Sequence, residues 1–269
     1  MWFLGLDLAQ TSDFSAMVAV EQVTMRTGER VPVPTNPWAR AWEPRLPAYS
    51  AIVDETTSAY HLRFLQRAPL GTPYTRIVEW VALVLHDLRQ QAEEDSLPWA
   101  PRPLGAAQRR EYHHAAPTLV IDQTGVGRPV IDLLREANLP ATIVPVTITG
   151  GDDVTGNSSG YRVPKRDLVS AIQVLLQQRR LRWASSLAGA DDLAQELASF
   201  RISISETAHD SYGARSGAHD DLVLALSLAV WAAEHGIGPL KPLYGWESWA
   251  RVGRREALRW QRARRNARR

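Results

Sequence analysis

Residues 118–148 read TLVIDQTGVGRPVIDLLREANLPATIVPVTI, in which two apolar runs enclose a segment with helical periodicity. The first run, residues 118–122, is almost continuously apolar up to its final carboxylate, a pattern typical of a parallel strand covered on both faces. Residues 141–148 repeat the pattern, and residues 130–137 between the two runs predict a crossover helix. The chain is therefore assigned to the α/β class.

The N-terminal part predicts three strands and a helix. Residues 2–8 and 14–23 are apolar runs on either side of a polar turn, and they predict a β-hairpin. Residues 60–67 alternate as a third strand, and apolar residues at helical spacing after Pro73 predict a helix that covers the sheet. Asp13, in the turn of the hairpin, could support the ligands of a site or be a turn residue, and the turn is favoured.

The second half of the chain predicts, in order, a mobile glycine-rich loop at 150–160, a helix that begins at Pro164, a helix at 189–200, an edge strand at 201–205 and a deeply buried helix at 222–233. The helix after Pro164 should present one apolar stripe, formed by Leu168, Ala171, Ile172, Leu175 and Leu176. Two polar, proline-containing stretches, residues 26–50 and 93–117, predict loop embellishments.

Composition excludes several classes of protein. The chain contains no cysteine, which excludes disulfides, thiolate zinc sites and thiol catalysis. Its two lysines, Lys165 and Lys241, do not fit a P-loop, so P-loop ATP hydrolysis is excluded. Residues 251–269 carry nine arginines and a local charge of +8, whereas residues 1–250 carry −6. This basic tail is as consistent with a solvated end as with contact to nucleic acid.

Nothing in the sequence directs the chain to a membrane or to secretion. The longest nearly uncharged apolar run, residues 222–233, is much shorter than the roughly 20 residues that span a bilayer. The N-terminus has neither a basic leader nor a small-residue cleavage site. We therefore expect a cytoplasmic protein without a membrane partner.

Three acidic positions could carry chemistry. Asp7 interrupts an apolar strand, where an unpaired charge is costly unless a partner or a cation neutralises it. Asp122 ends the first strand of the crossover, where open α/β sheets usually place their ligand site. Asp220 and Asp221 precede the buried helix and provide the third position. If these acids meet, divalent cations would relieve their repulsion, and oxygen ligands favour Mg²⁺ or Mn²⁺.

Each acidic position also has a purely structural explanation. Asp7 could form a buried ion pair, and Asp122 could cap the turn before Thr124. Either Asp220 or Asp221 could be the N-cap of the helix that follows. Each signal is weak when it is taken singly, and the combination is much stronger.

The combination resembles the C-terminal nuclease domain of the large terminase subunit of tailed phages, whose fold is ribonuclease H-like. The resemblance depends on five segments in matching order: LGLDLAQTSDFSA (4–16), LVIDQTGVG (119–127), VPKRDL (163–168), ELASF (196–200) and HDDLVLAL (219–226). It implies a mixed sheet of five or slightly more strands with helices on both faces. The three N-terminal strands would form an antiparallel meander, and the strand at residues 2–8 would lie beside the strand that ends at Asp122. The nuclease domain would span residues 1–235, and residues 236–269 would be a basic extension.

The resemblance also implies site residues and partners. Asp7 would ligate two Mg²⁺ or Mn²⁺ ions, Asp122 would be the second acid, and Asp220 or Asp221 the third. Apart from the resemblance, Lys165 and Arg166 beside the glycine-rich loop, and His219 before the acidic pair, are candidate DNA contacts. Lys165 could equally be a solvated first-turn lysine, and the structural alternative for His219 is an ordinary capping position. The chain begins directly at the first nuclease strand, so we expect a separate ATPase, small terminase subunit or portal protein as partner, with double-stranded DNA as substrate in the cytoplasm of a phage host.

The expected activity is two-metal hydrolysis of phosphodiester bonds by an endonuclease, in viral DNA packaging or genome processing. Two alternatives belong to other classes of protein: an actin-like or sugar-kinase-like ATPase, and a non-catalytic nucleic-acid-binding packaging adaptor. The ATPase would normally need a longer chain, and intact acids at all three positions argue against the adaptor. Within the nucleases, a junction resolvase is also compatible with the fold.

Overall fold

Strand β1 (Trp2–Asp7) lies inside an eight-stranded mixed sheet and has a hydrogen-bonded neighbour on each side. The other strands of this sheet are β2 (Ala16–Pro34), β3 (Tyr49–Arg67), β4 (Thr118–Asp122), β5 (Thr142–Thr149), β6 (Thr155–Asn157), β7 (Gly160–Pro164) and β8 (Leu181–Arg182). Their order across the sheet is β6-β7-β5-β4-β1-β2-β3-β8.

The structure is a computed structural model. It describes residues 1–9, 13–34, 49–94, 116–125, 128–157, 159–204, 210–213 and 219–238. The helices in this part of the chain are α1 (Tyr74–Glu94), α2 (Arg128–Glu136), α3 (Lys165–Gln177), α4 (Ala190–Ser199) and α5 (Asp221–Glu234). Strands β9 (Arg201–Ile204) and β10 (Asp210–Gly213) form a separate antiparallel pair, so the predicted edge strand at 201–205 does not join the main sheet.

The central strands have the predicted pairing. β1 pairs antiparallel with β2, and β2 pairs antiparallel with β3, which is the N-terminal meander. On its other side β1 pairs in parallel with β4, and β4 pairs in parallel with β5 after the crossover through α2. The predicted mixed α/β fold is confirmed.

Alternating side chains of the central strands face two separate cores. On one face, Phe3 and Val120 pack with apolar residues of α3, α4 and α5. On the other face, Leu6 and Ile121 pack with α1 and α2. Helices therefore cover both faces of the sheet, as expected for this fold.

Helix α5 is buried on all sides, as its composition predicts. Every residue from 222 to 233 is buried, so the helix has no polar face to present to water. Its contact with β1 leaves no room for a side chain at Gly5, because a Cβ there would lie 1.7 Å from the carbonyl oxygen of Ala225. Gly5 thus allows α5 to cross closely over the strand that carries Asp7.

Two predicted loops contain strands instead. β2 continues to Pro34 and β3 begins at Tyr49, so residues 26–34 extend the hairpin as a two-stranded ribbon. Residues 26–30 are exposed, and a ribbon with exposed faces need not show the alternation on which strand prediction depends. The predicted mobile loop at 150–160 contains β6, which pairs with β7.

Other predictions are met in part or lie outside the described residues. Leu168, Ile172 and Leu175 of α3 are buried, but Leu176 is 37% exposed, so the apolar stripe is narrower than predicted. Residues 35–48, most of 93–117 and 239–269 are not among the described residues, and the limits of the predicted domain stay a prediction. In the described part of the chain, no helix combines the length and apolar character that crossing a membrane requires.

Candidate active site

Asp7 and Asp122 lie at the same level, at the C-terminal ends of two neighbouring parallel strands. In the register of β1 and β4, Leu6 pairs with Ile121, so each aspartate directly follows a paired residue. Because side chains alternate along a strand, both carboxylates point to the face opposite Leu6 and Ile121, which is the face that α5 covers. The sheet therefore brings two predicted site residues together at the edge where α/β sheets bind ligands.

Asp7 is buried, and no residue in the described part of the chain neutralises it. Its exposed fraction is 8%, and none of the described residues forms a hydrogen bond or ion pair with its carboxylate. Burial, and after it the negative charges of Asp122 and Asp221, raise the pKa of Asp7 well above its ordinary value. A carboxylate in this environment requires either a proton or a cation. The alternative explanation of Asp7 as a buried ion pair therefore finds no partner in the described part of the chain.

Asp122 caps a turn with its side chain and also belongs to the site. Its Oδ1 accepts a hydrogen bond from the Thr124 N–H at 2.7 Å, which is the turn cap that the sequence also allows. Burial raises the pKa of Asp122, although the hydrogen bonds of Thr124 and the charge of Lys165 act in the opposite direction. The turn contact thus orients the carboxylate and does not remove it from the site.

The start of α5 brings Asp220 and Asp221 to the same edge of the sheet. Asp220 occupies the N-cap position, but its side chain makes no capping hydrogen bond and pairs instead with Lys165, Nζ to Oδ2 at 2.9 Å. The capping contact comes from Glu196 of α4, whose Oε2 accepts a hydrogen bond from the Val223 N–H at 3.0 Å. The side chains of the aspartate pair are therefore not the helix caps that the alternative explanation required.

Asp13 joins the site from the turn between β1 and β2. Ligand atoms of Asp13, His219 and Asp221 all lie within 4.8 Å of one another. Burial, and next a hydrogen bond with Asp13, raise the pKa of Asp221 to about 6. Burial alone would raise the pKa of Asp13 too, but hydrogen bonds with Asp221, the Phe14 N–H and His219 lower it overall. The two carboxylates are thus close enough to compete for one proton.

Arg67, the last residue of β3, is the cation that contacts Asp221. Its Nε lies 2.9 Å from Asp221 Oδ2, and its Nη2 pairs with Glu196. The guanidinium group also lies over the ring of Phe14, 5.7 Å from the ring centroid. One oxygen of Asp221 is therefore paired with a cation, whereas no described residue pairs with the carboxylate of Asp7.

The three predicted DNA-binding residues lie beside carboxylates. Lys165 pairs with Asp220, and the Nδ1 atom of His219 is 3.3 Å from Asp13 Oδ1. Arg166 is directed elsewhere, because its Nη1 lies 2.7 Å from Asp152 Oδ1 in the segment before β6. Lys165 and His219 are thus next to the acidic site, whereas Arg166 contacts a neighbouring loop.

The donors of the site fit a hard divalent cation. Asp7 experiences the charges of four other carboxylates, those of Asp122, Asp221, Asp220 and Asp13. The chain has no thiolate to offer, and carboxylate oxygens are the ligands that Mg²⁺ and Mn²⁺ prefer. One or more cations would neutralise the repulsion that now acts on the buried Asp7.

Three residues of this arrangement are not assigned to it by the sequence. For Asp13 the sequence favours a turn residue over one that supports the site, and it gives no role to Glu196 or Arg67. The sequence contains one signal for Arg67, because the adjacent apolar residues Phe64 and Leu65 interrupt the alternation of β3 and indicate a bulge just before it.

The fold and the acidic edge of its sheet define an α/β protein with a candidate cation site at the ends of its parallel strands. Residues 78–233 match the sequence profile of the family described as terminase RNaseH-like domain. The match covers more than half of the 269 residues, and the chain belongs to this family. It includes Asp122, Asp220 and Asp221 but begins after β1 and Asp7.

Solved structures with a similar fold are large terminase nucleases of phages. The large terminase nuclease from thermophilic phage G20c is 16% identical, with a TM-score of 0.48 over 85% of this chain and 80% of that one. The same nuclease with bound magnesium has a TM-score of 0.49 at 16% identity, over 86% and 80% of the two chains. The large terminase nuclease domain of Thermus phage P74-26 is 14% identical, with a TM-score of 0.46 over 85% and 77%. No curated protein matches the chain in sequence.

Proposed function

We propose that this chain is a metal-dependent DNA endonuclease of the large-terminase type, which hydrolyses phosphodiester bonds with two divalent cations, Mg²⁺ or Mn²⁺. The observation that carries the proposal is Asp7, a buried carboxylate that faces other carboxylates and has no neutralising partner among the described residues. Such an arrangement is destabilising for the protein alone, and it is understandable as a binding site for cations.

The proposed ligands are Asp7, Asp122 and Asp221, with Asp7 shared by both cations. We prefer Asp221 to Asp220 as the third acid because the charge of Asp221 acts on Asp7 more strongly than that of Asp220. Both aspartates are paired with a cation, Asp221 with Arg67 and Asp220 with Lys165, so pairing does not separate them. When bound, the cations supply a water of lowered pKa as the nucleophile and stabilise the charge that develops on the phosphate.

The other residues of the site hold the acids and meet the DNA. Asp122 is held by its hydrogen bond from Thr124, so its carboxylate is oriented before a cation binds. Lys165 lies beside Asp220 and offers an ammonium group to a phosphate of the DNA backbone. His219 is close to Asp13 and can donate a hydrogen bond to that carboxylate or to a phosphate. Arg166 is a more distant phosphate contact, since it is paired with Asp152.

The proposed setting is the packaging or processing of a phage genome in the host cytoplasm. Double-stranded DNA is the proposed substrate, and a separate ATPase, a small terminase subunit and a portal protein are the proposed partners. Membership of the terminase RNaseH-like family supports these assignments.

A plasmid-nicking assay tests the proposal. The full chain should convert supercoiled plasmid to nicked and linear forms with Mg²⁺ or Mn²⁺, should be inactive in EDTA, and should leave 5′-phosphates. Asp7→Asn should abolish cleavage without unfolding the protein, and Asp132→Asn, an exposed aspartate on α2, is the matched control. Normal nicking by Asp7→Asn would refute the assignment.

Measurements of DNA binding, of thermal stability with ATP and of cleavage of branched DNA, made beside the nicking assay, separate the alternatives. Binding of DNA without any cation-dependent nicking would favour the packaging adaptor. Thermal stabilisation by ATP, without nicking, would favour the ATPase. A strong preference for branched over linear DNA would indicate a junction resolvase.

A further inference from the structure

A β-bulge in β3 directs Arg67 to the acidic site. Leu62 and Phe64 pair with consecutive residues of β2, so the residue between them, Arg63, has no opposite residue in the register. One extra residue reverses the alternation of side chains that follow it. Arg67 therefore points to the face of α5, where it contacts Asp221, and without the bulge it would point to the face of α1.

Arg67 connects three elements at this face. From β3 it contacts Asp221 at the start of α5, with 2.9 Å between Nε and Oδ2, and Glu196 of α4. Glu196 in turn accepts the hydrogen bond from the Val223 N–H at 3.0 Å. Asp192 of α4 lies 4.0 Å from Nη1. Arg67 thus holds the Asp221 side chain together with the hydrogen bond from Asp13, and Glu196 in turn holds the guanidinium group.

The contacts of this network are mostly shielded from water. The side chains of Glu196 and Asp221 are 6% and 2% exposed, and that of Arg67 is 22% exposed. A guanidinium group can donate parallel hydrogen bonds to two carboxylates in a fixed geometry, which an ammonium group cannot reproduce. The network is therefore specific for arginine at position 67.

We propose that Arg67 is a positioning residue for Asp221, and that its charge also lowers the affinity of the site for divalent cations. The inference depends on the proposed function, because it assigns a role to Arg67 toward the same cations. Its two parts have opposite consequences. Removal of the guanidinium group leaves Asp221 without its ion pair and with only the hydrogen bond of Asp13 among the contacts described above, which slows the reaction. It also removes a positive charge, which strengthens cation binding.

The test combines calorimetric titration of Mn²⁺ into the metal-free full chain with the nicking rate at saturating Mn²⁺. For Arg67→Gln we expect Mn²⁺ to bind about tenfold more tightly. We expect kcat to fall by roughly 10- to 100-fold, because Asp221 is displaced. For Glu196→Gln we expect weaker Mn²⁺ binding and also a lower kcat, since the charge of Arg67 then has one carboxylate less to balance it.

Two further variants make the result decisive. Arg67→Lys keeps the positive charge but not the paired geometry, so the Kd for Mn²⁺ should stay close to that of wild type while kcat falls. Arg135→Gln removes the same charge from an exposed pair with Asp132 on α2 and should change neither quantity. If Arg67→Gln does not fold by circular dichroism, the lysine variant and Glu196→Gln carry the test.

The outcomes distinguish this inference from the proposed function. Absence of Mn²⁺ binding by the wild-type chain would overturn the proposed function and the role of Arg67 with it. Binding and nicking by wild type, with weaker Mn²⁺ binding in Arg67→Gln or an unchanged kcat in that variant, would overturn the role of Arg67 alone. Full kcat in Arg67→Lys would also overturn it.

Discussion

Asp7 and Asp122 come from distant parts of the chain and end adjacent parallel strands at one level, with both carboxylates on the face of α5. This relationship follows from the register of β1 and β4 and does not depend on any side-chain contact between the two residues. The backbone thus holds two like charges together, and burial keeps water from screening them. Four predictions follow from this site and its surroundings.

The two adjacent aspartates of α5 should differ in importance. Asp221→Asn removes a proposed ligand and should lower the nicking rate by at least about 100-fold, whereas Asp220→Asn removes the partner of Lys165 and should lower it by about tenfold or less. Initial rates of plasmid nicking at equal Mg²⁺ concentration measure both. An equal or larger loss in Asp220→Asn would assign the ligand role to Asp220 instead.

The metal-free protein should become less stable as the pH rises from about 4 to 6. The folded state raises the pKa of Asp221 to about 6, so it keeps a proton that the unfolded chain has already released, and stability is lost as the pH rises through this interval. In EDTA, Asp221→Asn should therefore gain about 2–4 °C in Tm relative to wild type between pH 4.5 and pH 7. Asp132→Asn, on the exposed side of α2, should show no such gain. A constant difference for Asp221→Asn at both pH values would contradict the prediction.

The crossing of β1 by α5 should not tolerate a methyl group. Gly5→Ala places a Cβ against the Ala225 carbonyl, and neither backbone can move without disturbing the core, so the free energy of unfolding should fall by about 3 kcal/mol or more. Gly150→Ala is the control, because its Cβ would meet no atom within 4 Å. Urea unfolding of both variants measures the difference, and a Gly5→Ala protein of wild-type stability would exclude the close crossing.

Lys165 should contribute to DNA affinity and not to the folding of the site. Lys165→Gln should weaken binding of duplex DNA in EDTA and should reduce the slope of log affinity against log salt by about 1, as expected for one phosphate contact. Arg76→Gln removes a charge from an exposed pair with Glu79 on α1 and should leave the slope unchanged. An unaltered slope for Lys165→Gln would mean that the Lys165 ammonium group pairs with Asp220 and does not contact a phosphate of the DNA.

Much of the fold could be predicted because its central elements carry strong patterns. The continuous apolar runs at β4 and β5 and the uniformly apolar α5 indicate burial on both faces, and these elements lie where their patterns place them. The ribbon at residues 26–34 and the hairpin of β6 and β7 could not be predicted in this way. Backbone pairing joins the strands of both, and the exposed side chains of residues 26–30 and of β6 leave no period in the sequence.

A site residue could be predicted only where it departs from the pattern of the sequence around it. Asp7 is a charge in an apolar strand, and Asp122 is a charge at the end of one, so both are visible in the sequence. Arg67 has only the indirect signal of the bulge that precedes it, and Glu196 has none, since a polar residue on a helix is ordinary. Their importance arises from the bulge at Arg63 and from the packing of α4 against α5, which are properties of the folded chain.

The distance in sequence between Gly5 and Ala225, which touch in the folded protein, also has a consequence for synthesis. A ribosome releases β1 early and α5 long afterwards, so a growing chain carries the first acid without the last. Until α5 emerges and packs on the sheet, the nascent polypeptide cannot assemble the acidic cluster. Incomplete chains that lack α5 should accordingly not cleave DNA.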